Sequence, residues 1–345
     1  MRVPVRRWRS HIPKMMVFAV AVMAATAWMA GCRKSGSPGE TGVGATTTTS
    51  PATLNIAVIP KGTTHVYWRA VHAGADTAAH DFNVNIVWKG PVLENDRAQQ
   101  IAIVEQFVSE GIDGIVVAPL DNVALKRPID DAMAKHIPVV IFDSSLQGDV
   151  GKDFVSFVAT DNKHGGEMAG DELARLLNNK GKIVLLRYGE GSASTLDREA
   201  GFLDAIAKHS DMQMLVQNRY AGPTSGDAQN TALEMADQLR QADGVFASNE
   251  SAATGMLLAL RKLGLNGKVK FVGFDSSDKL IEGLNDGDID ALVLQNPKMM
   301  AYLAIQQCVN ALHSQPVTAH IDSGAGLLTR ENMNTPEMQK LLEVK

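Results

Sequence analysis

The chain has 345 residues, enough for two ordinary domains around sizeable cores. With 45% hydrophobic, 21% charged and 5% aromatic residues, 30 glycines and 13 prolines, the composition is that of a folded globular protein, and collagen-like, coiled-coil and disordered classes fall away. The formal charge of −5 conceals an asymmetry: residues 1–31 hold five of the 33 basic residues and no acid, which leaves 28 basic against 38 acidic residues, a net −10, and argues against nucleic acid as the main partner.

Residues 1–14 are basic (Arg2, Arg6, Arg7, Arg9, Lys14), and 15–30 form an apolar or near-apolar run of 16 residues. The pair reads as a signal peptide over 1–31. The run is shorter than the ~20 residues a spanning helix needs, and it ends on Trp28-Met29-Ala30-Gly31-Cys32 without a stop-transfer pattern. That ending resembles a bacterial lipobox, which implies cleavage before Cys32 and a diacylglyceryl group on its thiol. Met29 stands where the lipobox more often has leucine, and the alternative is an ordinary secretory signal followed by an incidental cysteine. The Gly, Ser, Thr and Pro content of 33–52 favours a flexible tether, so 32–52 is read as a lipidated cysteine and linker. The second cysteine, Cys308, lies in an apolar helical stretch and reads as a packed thiol.

From residue 54 short β-rich runs alternate with amphipathic segments. Strands are expected at 54–59, 84–88, 114–118, 137–142 and 154–158, with helices at 66–80, 96–110 and 123–136 between them. The pattern then restarts: helices at 165–178, 198–209, 229–240 and 252–263, strands at 182–186, 212–216, 244–247 and 270–274. Apolar strands separated by helices imply parallel sheets covered on both faces. The fold class is therefore α/β, with two doubly wound parallel-sheet lobes joined near 158–162.

Ligands of such sheets collect beyond the carboxyl ends of the strands, which selects the loops 60–65, 143–145, 187–198, 248–251, 275–277 and 295–296. Asp143, Asn249 and Asp275 each follow an apolar run directly. Any one of them can simply cap a helix or close a turn, but three in equivalent places across two lobes point to a shared cleft. Carboxylates (Asp143, Asp275), a guanidinium (Arg198) and amides (Asn249, Gln295) make paired, directional bonds with neighbouring hydroxyls, as a sugar or polyol requires. Tyr67 and Trp68 either present flat faces to a sugar ring or pack in the core. Lys61 and His65 either meet an anionic or hydroxyl group or are solvated loop residues.

Catalytic and metal motifs are missing from the sequence: it contains no Gly-Lys-Ser/Thr triplet, no Gly-x-Ser-x-Gly elbow and no His-Glu-x-x-His. The nine histidines are scattered, and Gly189-Glu-Gly-Ser-Ala-Ser194 alone is a weak phosphate signal. Asp143 and Asp275 could serve as a glycosidase pair only at a suitable separation, which the sequence does not give. The reading is a protein without enzymatic activity, cofactor or metal.

These residues resemble the ribose-type periplasmic solute-binding proteins of ABC importers, whose fold is shared with the ligand-binding cores of LacI-type repressors. The likeness covers the body from about residue 53 onward. It is carried by 54–59 and its polar loop, Gly111-Ile-Asp-Gly-Ile-Val-Val-Ala-Pro119, Ile137-Pro-Val-Val-Ile-Phe-Asp143, Ala159-Thr-Asp-Asn162 with Gly165-Gly166, Gly191-Ser-Ala-Ser-Thr195 with Arg198 and Gly201-Phe202, Phe246-Ala-Ser-Asn249, Val272-Gly-Phe-Asp275 and Leu294-Gln-Asn-Pro297. The resemblance implies a sugar-binding role for Lys61, His65, Tyr67, Trp68, Asp143, Arg198, Asn249, Asp275 and Gln295. This chain departs from the family with His65-Val-Tyr-Trp68 in place of the frequent Asn-Pro-Phe-Phe, and with Ser144 where an arginine often follows the aspartate. A signal peptide occupies the place of the repressor branch's helix-turn-helix.

The same resemblance implies lobes of 53–160 with 296–324 and 161–295 with 325–345, crossings near Thr160, Gln295 and Gly324, and hinge closure around the solute. Asn296 is expected to cap a helix begun by Pro297. The partners implied are a sugar or polyol and an ABC permease, with the protein monomeric and lipid-anchored in the periplasm or at the cell surface. The competing expectation is a sensor with the same lobes, coupled to a membrane receptor or histidine kinase.

Overall fold

The computed structural model describes residues 53–342. The signal peptide, Cys32 and the tether expected over 1–52 lie outside the described residues. In chain order the first part runs β1 (Asn55–Ile59), α1 (Val66–Phe82), β2 (Asn85–Trp88), α2 (Arg97–Glu110), β3 (Gly114–Val117), α3 (Lys126–Ala134), β4 (Val139–Phe142) and β5 (Ser156–Ala159). The second follows as α4 (Asn162–Leu176), β6 (Lys180–Arg187), α5 (Ala193–Ile206), β7 (Asp211–Tyr220), α6 (Ser225–Glu234), α7 (Ala236–Leu239), β8 (Gly244–Ala247), α8 (Glu250–Leu263), β9 (Lys270–Phe274), α9 (Asp278–Asp286) and β10 (Ala291–Gln295). The chain ends in α10 (Pro297–Leu312), β11 (His320–Asp322), β12 (Ala325–Thr329) and α11 (Pro336–Leu342).

The strands form two six-stranded sheets, ordered β11-β5-β4-β3-β1-β2 and β12-β10-β9-β8-β6-β7. Every pairing is parallel except β10 with β12. The two orders correspond position by position, so β4 matches β9 and β1 matches β6. Alternation of side chains across each strand fills a core on both faces. Ile56 and Val58 face α1 and α10, whereas Ala57 and Ile59 face the α2 and α3 side. Val184 and Leu186 part from Ile183 and Leu185 in the same way.

Several boundaries move, each for a local reason. The helix expected from Gly165 starts at Asn162, because the Asp161 side chain accepts from His164 N–H and caps it. The one expected from Arg198 starts at Ala193, where Ser194 N–H donates to Ser144 Oγ at 3.1 Å. The segment 229–240 is two helices, the first capped by Thr224 and the break falling at Met235. The third helix is shorter than 123–136, since Asp121 accepts from Val123 and Ala124 N–H in a turn ahead of it. The strand expected at 212–216 runs on to Tyr220 with register shifts against β6.

Close approach of α4 and α5 depends on two glycines. A Cβ on Gly166 would lie 1.9 Å from Arg198 O, and one on Gly201 would lie 2.0 Å from Lys163 O. The chain passes between the sheets three times, from β5 into α4, from β10 into α10 and from β11 into β12. The crossings are bonded to one another: Thr160 Oγ1 donates to Gln295 Oε1 at 3.0 Å and lies 3.4 Å from Ser323 Oγ.

Candidate binding site

The polar residues at the strand ends converge on one small pocket of about 30 Å³. Lys61, His65, Tyr67, Trp68, Asp143, Arg198, Asn249, Asp275 and Gln295 all line it. It adjoins a groove of about 660 Å³ that shares His65, Tyr67, Glu250, Asp275 and Gln295, and another of about 380 Å³ that shares Glu94, Tyr188 and Ser192.

Asp143 and Asp275 occupy matching places, each immediately after its strand and each in a left-handed backbone conformation, with φ of 63° and 70°. Few residues other than glycine adopt that conformation readily, aspartate among them, so each lobe bends at the strand end to turn a carboxylate inward. Asp143 accepts from Tyr67 Oη at 2.8 Å and pairs with Lys61 Nζ at 2.9 Å. Lys61 Nζ also donates to Ser194 Oγ at 2.8 Å. Asp275 accepts from Gln295 Nε2 at 2.6 Å and from Glu250 N–H at 2.9 Å, and its carboxylate lies 3.9 Å from Arg198 Nη1. Burial pushes the Asp275 carboxyl above the usual carboxylate range, against the pull of Arg198.

Arg198 sits on the second turn of α5 rather than in a loop. Its Nε donates to Asn162 Oδ1 at 2.8 Å, its Nη1 donates to Ser248 O at 3.1 Å, and the guanidinium lies 3.9 Å over the Phe274 ring. Those contacts fix the fork's orientation before any solute arrives. Asn249 caps α8, with its Oδ1 accepting from Ala252 N–H, and still borders the cavity. Trp68 is mostly core: its ring stands edge-on to Tyr67 and Phe142, while Nε1–H donates to Glu94 at 2.6 Å. It borders the cavity as well, so both alternatives of the sequence, core packing and a place at the site, meet in this residue.

Glu94 is the centre of a second charged cluster. Besides Trp68 it accepts from Tyr188 Oη at 2.9 Å, and His65 Nδ1 lies 2.7 Å away. Burial opposes the charge on both partners, yet the ion pair prevails: His65 is carried up to about 9 and Glu94 down to about 2, with Lys61 adding to the latter. His65 Nε2 lies 2.9 Å from Pro223 O. Glu94, Tyr188, Ser192, Ser194, Thr195 and Glu250 complete the lining. Tyr188 and the three hydroxyl residues lie within the loop 187–198 selected by the strand-end rule and Glu250 lies within 248–251, where it reads singly as an ordinary acid in a first helical turn, whereas Glu94 follows β2, whose loop the rule does not select.

Among the described residues no group of three or more His, Cys, Asp or Glu side chains is placed to hold a metal ion, and no helix is long and apolar enough to cross a membrane. Two α/β lobes enclosing a polar cavity at their strand ends define a two-lobed binding protein. Comparison with known proteins gives the family: the model described as periplasmic binding protein domain matches residues 56–316. The ribose import binding protein of Haemophilus influenzae is 29% identical over 232 residues, covering 66% of this chain and 76% of that one. The solved structure of a carbohydrate transporter solute-binding protein from Agrobacterium radiobacter, in complex with D-arabinose, shares 34% identity at a TM-score of 0.80, covering 85% of this chain and 99% of that one. An ABC transporter solute-binding protein from Agrobacterium vitis with bound D-fucose shares 32% at a TM-score of 0.80, covering 83% and 99%. The chain belongs to the periplasmic binding protein family, and it is a binding protein rather than an enzyme.

Proposed function

We propose that this is an extracytoplasmic, lipid-anchored solute-binding protein that captures a sugar or related polyol between its lobes and delivers it, as a monomer, to an ABC importer. The observation that carries the reading is the pair Asp143 and Asp275. Two inward-turned carboxylates from matching strand ends of two sheets, with Arg198 and Gln295 beside Asp275, offer the bidentate acceptor and donor pattern that vicinal hydroxyls require. The sugar-bound relatives support it. The lobes, 53–160 with 296–324 and 161–295 with 325–345, rotate about the three crossings, and Cys32 carries the lipid that keeps the protein at the membrane.

Thermal unfolding against pentoses, hexoses, polyols and sugar acids tests this. A compound at ~1,000 times its Kd adds about 4 kcal/mol, and each kcal/mol is worth roughly 2–4 °C in a protein of this size. In Asp275→Asn, which tolerates the left-handed backbone, that shift should vanish while the unliganded melting temperature stays close to wild type. A folded wild-type protein that no compound shifts refutes the sugar reading, and full affinity in the variant removes Asp275 from the site.

A further inference from the structure

The start of α1 has no cap of its own, since His65 in the N-cap position makes no side-chain bond to the helix's free amides. Those amides are satisfied from the other lobe. The Glu250 carboxylate accepts from Tyr67 N–H at 2.9 Å through Oε2 and from Val66 N–H at 3.4 Å through Oε1. Glu250 is itself the first residue of α8, so the positive ends of two helices from different lobes meet with one buried carboxylate between them. His65 adds a third tie to the same segment. Acceptors face both of its ring nitrogens, Glu94 in its own lobe and Pro223 O in the other, and only the imidazolium donates to both.

The tie also connects to the hinge. Glu250 N–H is held by Asp275, Asp275 by Gln295, and Gln295 by Thr160, so a bonded path runs from two of the crossings through a sugar-site carboxylate to the mouth of the cleft. Resting on the proposed solute-binding role, we propose that Glu250 is an interlobe latch: its charged carboxylate caps α1 in trans and sets how long the closed complex lasts. It is a positioning residue for closure, and its effect falls on release rather than capture, because the cap forms only after the lobes meet.

The test uses the full chain, wild type, Glu250→Gln and Glu250→Asp. Hydrogen–deuterium exchange, run both without added sugar and with D-arabinose or D-fucose in excess, reads the latch itself. In E250Q the amides of 65–67 should exchange at least about tenfold faster while those of β1 keep wild-type protection, and E250D, which retains the charge, should lie between the two. Stopped-flow tryptophan fluorescence with D-arabinose and D-fucose reads the consequence: an off-rate raised roughly tenfold or more in E250Q with the on-rate within about twofold of wild type. Unchanged exchange at 65–67 in E250Q overturns the latch. A faster off-rate without faster exchange also overturns it, since that pattern marks a direct sugar contact. If E250Q fails to fold, E250D decides, with wild-type exchange and off-rate counting against the proposal. If neither sugar binds the wild type, the solute reading fails at these ligands and the exchange result alone still decides the latch.

Discussion

Replacing Glu94 by glutamine removes the charge that keeps His65 protonated. The two side chains are 7% and 11% exposed, so water screens the pair little. A rise of the imidazole from 6.5 to about 9, at about 1.4 kcal/mol per pH unit, is worth about 3 kcal/mol, and the fall of the Glu94 carboxyl from 4.5 to about 2 records the same interaction, counted once. The direction with pH follows from proton linkage. His65 binds its proton more tightly in the folded chain, so its contribution is full below pH 6.5 and is lost as pH rises through about 9. Glu94 binds its proton less tightly when folded, so its contribution is full above pH 4.5 and is lost as pH falls through about 2. Wild-type stability should therefore be flat from these two groups between pH 4.5 and 6.5 and decline on either side. In Glu94→Gln burial acts on His65 with its main partner gone and only Glu250 and Pro223 O left to favour the charge, so its pKa falls from about 9 and the loss of stability with rising pH shrinks and moves to lower pH. Proton NMR titration of the imidazole, assigned by difference against His65→Gln, together with urea unfolding at pH 5.5 and 9.5, measures both effects. A wild-type His65 that titrates near 6.5, or identical stability slopes in the two proteins, refutes the ion-pair argument.

Gly166→Ala should destabilise the chain by about 1–3 kcal/mol, because its Cβ would fall 1.9 Å from Arg198 O and part α4 from α5, and a urea midpoint compared with an exposed Gly→Ala control reads it. The same displacement moves the guanidinium, so sugar affinity should fall as well. Cys308, fully buried against Gly114 with its thiol pushed up to about 12 by burial, should resist a thiol reagent at pH 8 in the native protein and react at once in denaturant; fast native labelling would contradict the packing of α10.

How much was legible in the sequence depended on whether the signal was local. The runs of β3, β4 and β8, and those of β1 and β9 after their first polar residue, announce buried parallel strands, and the residues after such a run are placed by the strand itself. That is why Asp143, Asn249 and Asp275 could be picked out. The start of α10 was equally plain, with Asn296 Oδ1 accepting from Met299 N–H and Pro297 in the first turn. By contrast β11 is three residues at a sheet edge, and its pairing with β5 comes from more than 150 residues away, so no local pattern marks it. Glu94 enters the site because a loop after β2 brings it to His65 and Tyr188, a tertiary fact with no signature in the loop. Arg198 stands at the boundary between an expected loop and an expected helix, and the structure moves it into the second turn, since residues 193–195 have turn-like composition and join α5 where Ser194 N–H meets Ser144.

The route of the chain has a consequence for how it folds. One core face of the first sheet is completed by Met300, Ala304, Ile305 and Cys308 of α10, and one sheet edge by β11. Helix α10 packs on α1 across more than two hundred intervening residues. Closing a loop of that length costs entropy before any burial offsets it, and folding dominated by such contacts is slow. A chain that stops at Gln295 already holds ten of the twelve strands of the described residues, yet one face of its first sheet has α1 without α10 beside it. Until α10 emerges, that face of the first sheet is only part-covered, so its core closes late in synthesis, after the helices of the second sheet are already made.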